Sequence, residues 1–267
     1  MKRIFLTGAS TGIGLATAKL LAGRGDEVWG TSRDLSRLPD WPRLHPVRLD
    51  LRDTASLRES FNATLKEAGH FDAVINNAGS GHFGPAELLG EDAVRDQFQT
   101  VVFAHIELCR LALRSMRKQG AGRIINVTSL ASRLPIPSMA AYSAAKAAMA
   151  SFTMTLQLEL GNSNIRVIDV QPGDIRTNFN DAVDRTEAND WPYAARSEHI
   201  WRVLDRNMKA APSPDLVARR IASLIDEANP PPRVTVGDPF QAIIAPFIFR
   251  FLPQRVQLWG LRKYYRL

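Results

Sequence analysis

The chain has 267 residues, of which 34 are Lys or Arg and 27 are Asp or Glu, giving a formal net charge of +7. This length is enough for one large hydrophobic core, and the lack of repeats and low-complexity runs excludes repeat arrays and disordered chains. The single cysteine, Cys109, excludes an internal disulfide, and the five histidines lack ligand spacing, so we expect no metal site.

The positive charge is concentrated at the C-terminal end. No acidic residue follows Asp238, and the basic residues after it account for five of the seven net positive charges. The excess therefore belongs to the tail, and we expect no nucleic-acid partner. The apolar run after Met1 is too short for a secretion signal, so we expect a cytoplasmic protein. The tail cations are Arg250, Arg255, Arg262, Lys263 and Arg266.

The first predicted elements are a strand over Ile4–Leu6 and a helix over Leu15–Leu21, joined by a glycine-rich turn. In a dinucleotide-binding turn, Gly8 would permit the tight bend and Gly12 would let the backbone approach a pyrophosphate. Gly14 would let the helix pack on the strand, while the helix N-terminus faces the phosphates. Taken alone, this pattern is equally compatible with an ordinary strand-to-helix turn.

Glu27–Arg33 predicts the second strand and its following turn. NAD-dependent enzymes place an acidic residue here to hold the ribose 2′-hydroxyl, but this chain has Ser32 followed by Arg33. A guanidinium can pair with a 2′-phosphate, which a carboxylate would repel. The sequence therefore predicts NADP(H) rather than NAD, the alternative being that Arg33 is a solvated turn residue.

Later segments continue the alternation of strands and helices to about Val236. Strands are predicted over Val47–Leu51, Phe71–Gly79, Gly122–Ser129 and Ile165–Val170. The segment Ala140–Met149 is strongly helix-forming. On that helix, Tyr142 and Lys146 lie one turn apart and share a face.

Four patterns together resemble the short-chain dehydrogenase/reductase family, in its single-domain form. They are T-G-x-x-x-G-x-G from Thr7, N-N-A-G ending at Gly79, Ser129 thirteen residues before Tyr142, and Tyr142 four before Lys146. The resemblance implies an α/β fold: a Rossmann-type, doubly wound parallel sheet of about seven strands in order 3-2-1-4-5-6-7, within three α/β/α layers. It implies a substrate-covering insertion at about 178–211. The sequence pattern itself predicts one domain over 1–238 and a basic amphipathic tail over 239–267.

The resemblance also implies a mechanism, with Ser129, Tyr142 and Lys146 as catalytic residues. Tyr142 exchanges the proton with the substrate oxygen, which Ser129 holds in place. Lys146 grips the nicotinamide ribose and is expected to lower the pKa of Tyr142 from about 10. The implied reaction interconverts an apolar ketone or aldehyde and its alcohol. An NADP-binding regulatory protein with weakened catalysis is the alternative.

The remaining implied roles concern the cofactor. Asp50 is expected at the adenine, Asn77 ties its strand to the neighbouring one, and Ile175 and Thr177 bind the carboxamide. The full set of expected cofactor contacts is Gly8, Ser10, Thr11, Gly12, Ile13, Gly14, Ser32, Arg33, Asp50, Leu51, Asn77, Ala78, Gly79, Tyr142, Lys146, Pro172, Gly173, Ile175 and Thr177.

One family feature is absent from the sequence. Many relatives carry a fourth catalytic residue, an asparagine in the helix before the serine strand, and Val101 stands at its position. That asparagine supports a helix bend whose carbonyl takes part in a proton relay. The β-branched run Thr100–Val102 disfavours regular helix and could permit the bend by itself. If the relay depends on asparagine, Val101→Asn is expected to raise turnover.

The substrate side is less specific. Aromatic residues of the insertion suit a bulky apolar substrate or simple packing, with a leaning towards the hydroxysteroid and retinol dehydrogenase-like branch. In the family the helices predicted at 101–116 and 140–160 form the subunit interface, so the resemblance implies a homodimer or homotetramer. For the tail we consider a lid or dimer strap, a membrane-surface anchor, and an ordinary packed tail. The expected substrate-side residues are His82, Phe83, Leu130, Leu134, Pro135, Ile136, Pro137, Met139, Trp191, Tyr193, Trp201 and Met208.

Overall fold

The computed structural model describes residues 1–186 and 193–267; Trp191 lies outside the described residues. Its strands are β1 (Arg3–Leu6), β2 (Glu27–Ser32), β3 (Leu44–Arg48), β4 (Ala73–Asn76), β5 (Gly81–Phe83), β6 (Gly122–Val127), β7 (Ile165–Pro172), β8 (Val183–Arg185) and β9 (Arg233–Val236). Its helices are α1 (Gly12–Gly23), α2 (Thr54–Ala68), α3 (Glu91–Phe98), α4 (Ala104–Gln119), α5 (Ala140–Leu160), α6 (Ala194–Ala210), α7 (Asp215–Asp226), α8 (Ala245–Phe251) and α9 (Gln254–Tyr265).

Seven strands form one parallel sheet in the order β3-β2-β1-β4-β6-β7-β9. Helices α1 and α7 cover one face, where Leu21 and Ile221 are fully buried against the central strands. Helices α2, α4 and α5 cover the other face through residues such as Phe61 and Leu108. The prediction of a three-layer, doubly wound fold is confirmed. Because all seven strands run in parallel, their carboxyl ends open onto one edge, where ligands bind in such folds.

The third strand lies earlier than predicted. It covers Leu44–Arg48 instead of Val47–Leu51, and it includes Pro46. A proline lacks the N–H that a central strand would need, but β3 is the edge strand of the sheet and tolerates it. Consequently Leu49, Asp50 and Leu51 belong to the loop beyond the strand, at the ligand-binding edge.

The segment after Thr177 contains structure that the sequence pattern does not predict. Residues Val183–Arg185 form β8, which pairs with β5 in a separate two-stranded parallel sheet. A three-residue strand has no readable periodicity, because it is stabilised by a partner far away in the chain. This pairing fixes the insertion against the segment that follows the N-N-A-G motif.

The C-terminal segment, residues 239–267, packs over the same edge of the molecule. Leu261 and Tyr265 of α9 contact a cluster that contains Ile200 and Leu204 of α6, together with Tyr142. The side chain of His199 also hydrogen-bonds the Tyr265 carbonyl at 3.2 Å. Across the described ranges, every helix is too short or too polar to cross a membrane.

Candidate active site

A cleft of about 1000 Å³ runs along the carboxyl ends of the central strands. Every predicted catalytic residue lines it, and so does every predicted cofactor residue except Gly14. Gly14 lies behind the cleft, where a Cβ would come within 2.6 Å of the Asn77 amide nitrogen. Its role is therefore the close packing of α1 on β4, and the expected cofactor contact is corrected to a supporting one.

The glycine turn has the form that a pyrophosphate requires. Gly8 and Gly12 adopt φ angles of +71° and +54°, in the left-handed region that favours glycine. Thr11 precedes α1 and makes no side-chain cap, so the first N–H groups of the helix remain available to an anion. No ligand is part of the structure, but these residues fit the phosphates of a dinucleotide.

The N-N-A-G segment is fastened to this turn. The Asn77 amide donates to the carbonyl of Thr7 at 3.0 Å, and the Thr7 hydroxyl accepts from the backbone N–H groups of Asn77 and Ala78. A Cβ on Gly8 would lie 2.9 Å from the Cα of Ala78. The end of β4 therefore holds the glycine turn in its shape, as the sequence suggested for Asn77.

The end of the cleft where the sequence predicts the adenosine of the cofactor is rich in arginine. Arg33 is exposed there, and Arg37, four residues later, also lines the cleft. Within the described ranges neither guanidinium forms an ion pair with a carboxylate. Asp50, by contrast, is paired with Arg52 at 2.9 Å, which lowers the pKa of Asp50. The sequence reasoning missed Arg37 and Arg52, although their spacing from Arg33 and Asp50 was a usable signal.

The three predicted catalytic residues meet in the middle of the cleft. Ser129 follows β6, and its Oγ accepts a hydrogen bond from the Ala131 N–H at 3.0 Å, which leaves its own proton free to donate. Tyr142 lies in the first turn of α5, and Lys146 lies one turn later. The Lys146 Nζ is 5.8 Å from the centroid of the Tyr142 ring and donates to the Val127 carbonyl at 2.9 Å.

Burial controls the acidity of this group. It raises the pKa of Tyr142 to about 12, against the lowering effect of the Ser129 hydrogen bond. It also lowers the pKa of Lys146 to about 8, which Asp169 partly opposes. In the protein without cofactor, desolvation of the phenolate therefore outweighs any lowering by the nearby ammonium. The expected lowering of the Tyr142 pKa, which also involves the positive ring of a bound nicotinamide, stays a prediction. At neutral pH Tyr142 is a phenol that can donate a proton.

The helix bend forms without the family asparagine. Residues Gln99–Phe103 form a π-helical turn between α3 and α4, and Val101 at its centre is completely buried. His105 lies one turn further, and its Nδ1 lies 3.2 Å from the Val101 carbonyl oxygen. Since a carbonyl only accepts, Nδ1 carries the proton. Burial lowers the pKa of His105 to about 3, so the imidazole is neutral.

The P-G segment closes the nicotinamide end. The β-carbon and γ-methyl group of Thr177 lie 3.3 Å from the position of a Cβ on Gly12, so this segment meets the glycine turn across the cleft. Ile175 is buried beneath it. Pro172, Gly173, Ile175 and Thr177 are thus brought together with the phosphate-binding turn, in agreement with their predicted positions.

The cleft also has an apolar wall that the sequence did not predict. Phe240, Phe249 and Leu261 from the C-terminal segment line it. Gln241 fastens this wall to the P-G segment, since its amide donates to Asp174 at 2.6 Å and to Tyr264 at 3.0 Å. Burial raises the pKa of Asp174. No sequence signal marked this contact, because its partners are 67 and 23 residues apart.

The predicted substrate-side residues divide into two groups. Met208 lines the cleft, as do Leu130, Leu134, Ile136 and Met139. The others that are described do not line the cleft. Trp201 takes the packing role that the sequence left open, with its ring centroid 5.0 Å from that of Phe83. Those outside the cleft are His82, Phe83, Pro135, Pro137, Tyr193 and Trp201.

Comparisons with known proteins agree with this geometry. A family model described as short chain dehydrogenase matches residues 2–188. The 3-ketodihydrosphingosine reductase of Bacteroides thetaiotaomicron is 32% identical over 99% of this chain and 98% of its own. A short-chain dehydrogenase structure from Streptomyces avermitilis has a TM-score of 0.83 at 31% identity, covering 99% of this chain and 97% of that one.

One further solved structure supports the fold alone. A short chain dehydrogenase/reductase from Burkholderia phymatum, in complex with NAD, has a TM-score of 0.82 at 24% identity and covers 97% of this chain and 95% of that one. The family model spans well over half of the chain, and the long relatives cover nearly all of it. This chain therefore belongs to the short-chain dehydrogenase/reductase family of oxidoreductases.

Proposed function

We propose that this protein is an NADP(H)-dependent oxidoreductase that interconverts an apolar ketone or aldehyde and its alcohol. The observation that carries the proposal is the meeting of Ser129, Tyr142 and Lys146 in a cleft that also has a phosphate-binding turn and an apolar wall. A regulatory protein without chemistry would not need a buried lysine and tyrosine beside a serine whose proton is free to donate.

The side chains supply positioning and the proton. When bound, the nicotinamide cofactor supplies or accepts the hydride at the carbonyl carbon. In reduction the Tyr142 phenol gives its proton to the carbonyl oxygen, and Ser129 donates a hydrogen bond that orients this oxygen. Lys146 stabilises the phenolate that remains, and its two other N–H bonds are free to hold ribose hydroxyls. In oxidation the same groups work in reverse, with Tyr142 as the base.

The preference for NADP(H) rests on Arg33 and Arg37. Both lie at the adenosine end without a carboxylate partner among the described residues. Such guanidinium groups suit a 2′-phosphate, which adds negative charge and several acceptor oxygens. Asp34 is close, but its carboxylate accepts from the Ser36 N–H and hydroxyl and is thereby committed to its own turn.

The apolar lining of the cleft supports the substrate class. It includes Leu134, Ile136, Met139, Phe179 and Phe249. Such a lining favours a bulky or long-chain carbonyl compound over a sugar. The Bacteroides relative is named for a ketone substrate, which falls within this class.

The test is a set of initial-rate assays with purified protein. NADPH and NADH oxidation would be followed with long-chain, aromatic and steroidal ketones and with a polar sugar ketone. We expect turnover with apolar ketones and NADPH. A preference for the sugar, or for NADH, would contradict the corresponding part of the proposal. Bound NADPH without turnover of any carbonyl compound would favour the regulatory alternative.

A further inference from the structure

The C-terminal segment (239–267) exposes an unusual number of apolar side chains. In the described ranges 17 large hydrophobic side chains are exposed, and 11 of them lie in this segment. Ile244, Phe247, Ile248 and Phe251 follow one another at intervals of three, one and three residues, so they form one stripe along α8 and the turn before it. An apolar patch of this kind marks an interaction surface.

The same segment is strongly basic. Arg250, Arg255, Arg262, Lys263 and Arg266 are all exposed, and none forms an ion pair with a residue in 1–186 or 193–267. The Lys263 ammonium lies 4.7 Å from the exposed Trp259 ring. Contact with a second copy through this segment would bring like charges together. An anionic surface that also accepts apolar side chains satisfies both properties.

The same segment also forms a wall of the active-site cleft. Phe240 and Phe249 line the cleft, and the Asp174, Gln241 and Tyr264 contacts hold the segment against the P-G loop. The apolar stripe and the cleft wall therefore both belong to α8 and the turn before it. A molecule bound at the stripe would contact the same helix that lines the cleft.

We propose that the C-terminal segment docks on the surface of an anionic lipid bilayer and admits an apolar, membrane-resident carbonyl compound to the cleft. The docking stands on the exposed stripe and the unpaired cations. The further step, that a membrane-resident carbonyl compound is the substrate, rests also on the proposed function. Phe247 and Phe251 enter the headgroup boundary, while the basic residues contact lipid phosphates.

The test of docking needs no turnover. The full-length protein would be sedimented with vesicles of phosphatidylcholine alone and with vesicles containing about one third phosphatidylglycerol. The charge variant is Arg255→Glu with Lys263→Glu. Its matched control is Lys19→Glu with Lys118→Glu, which changes the net charge equally at exposed positions on α1 and α4. A second variant, Phe247→Ser with Phe251→Ser, removes the centre of the stripe.

We expect the wild type and the control to sediment with anionic vesicles and both tail variants to lose binding. The charge variant should bind roughly 30-fold more weakly or worse, from about fivefold per basic residue. No binding by the wild type, or equal binding by the charge variant and its control, would overturn the proposal. The wild type could instead form dimers that the Phe247→Ser, Phe251→Ser variant dissociates, and fail to bind vesicles. That result would assign this surface to contact with a second copy of the chain and would also overturn the proposal.

A rate measurement separates this proposal from the proposed function. The tail variants should keep the wild-type kcat/KM for a water-soluble ketone but lose activity on a long-chain ketone embedded in anionic vesicles. Vesicle binding without activity on any ketone would leave the docking supported and contradict the proposed function. Activity on the soluble ketone with no vesicle binding would support the proposed function and contradict the docking.

Discussion

At the residue scale, the unpaired guanidinium groups at the adenosine end make the cofactor preference testable. We expect Arg33→Asp to lower kcat/KM for NADPH by about 10- to 100-fold, because a charged hydrogen bond is worth about 1.5 to 3 kcal/mol. The kcat/KM for NADH should change little. Steady-state kinetics with both cofactors would measure this, with Arg117→Asp as an exposed control on α4. An unchanged ratio of NADPH to NADH efficiency would reject the assignment of Arg33.

The buried lysine predicts a pH dependence. The pKa of Lys146 is lowered to about 8, whereas that of Tyr142 is raised to about 12. Lys146 is therefore charged below pH 8 and loses its charge above it, while Tyr142 keeps its proton throughout. We expect kcat/KM for NADPH in reduction to fall as pH rises through about 8. A profile that stays flat to pH 10 would show that this ammonium is not required for the productive complex.

At the element scale, the buried His105 on α4 makes the stability of the fold depend on pH. Its folded pKa of about 3 lies below the unfolded value of about 6.5, so the unfolded chain binds more protons between these values. Stability should consequently fall as pH decreases below 6.5, by about 1.4 kcal/mol per unit from this residue. Denaturant unfolding should show that the free energy of unfolding of His105→Gln changes less with pH, between pH 6.5 and 5, than that of the wild type. An equal dependence of unfolding free energy on pH in His105→Gln and the wild type would contradict the assignment.

The elements also show how far sequence reasoning reaches. The central strands and helices could be predicted because apolar runs such as Ile4–Leu6 and glycine positions such as Gly8 report local constraints. The β5–β8 pair and the Gln241–Asp174 contact could not be predicted, because each joins distant segments without a local pattern. The raised pKa of Tyr142 in the protein without cofactor could not be predicted either, because the sequence shows the nearby lysine but not the depth of burial.

At the scale of the whole molecule, a second apolar surface is separate from the C-terminal segment. Phe103 before α4 and Met154 and Leu158 on α5 are exposed, the last by 79%. The family resemblance assigns these two helices to a subunit interface. We expect light scattering to find a dimer or tetramer at micromolar concentration and Leu158→Glu to reduce its size. Leu88→Glu, at an exposed position outside both helices, is the control. A wild-type monomer would contradict this expectation.

The central claim is that Tyr142 carries the proton in an NADP(H)-linked carbonyl reaction. The most direct measurement compares wild type and Tyr142→Phe for NADPH binding and for single-turnover reduction of an apolar ketone. Removing the hydroxyl should lower the rate by at least about 100-fold, the usual contribution of general acid catalysis, and leave the Kd for NADPH nearly unchanged. Reduction by Tyr142→Phe at a rate close to that of the wild type would show that the proton comes from elsewhere and would contradict the account.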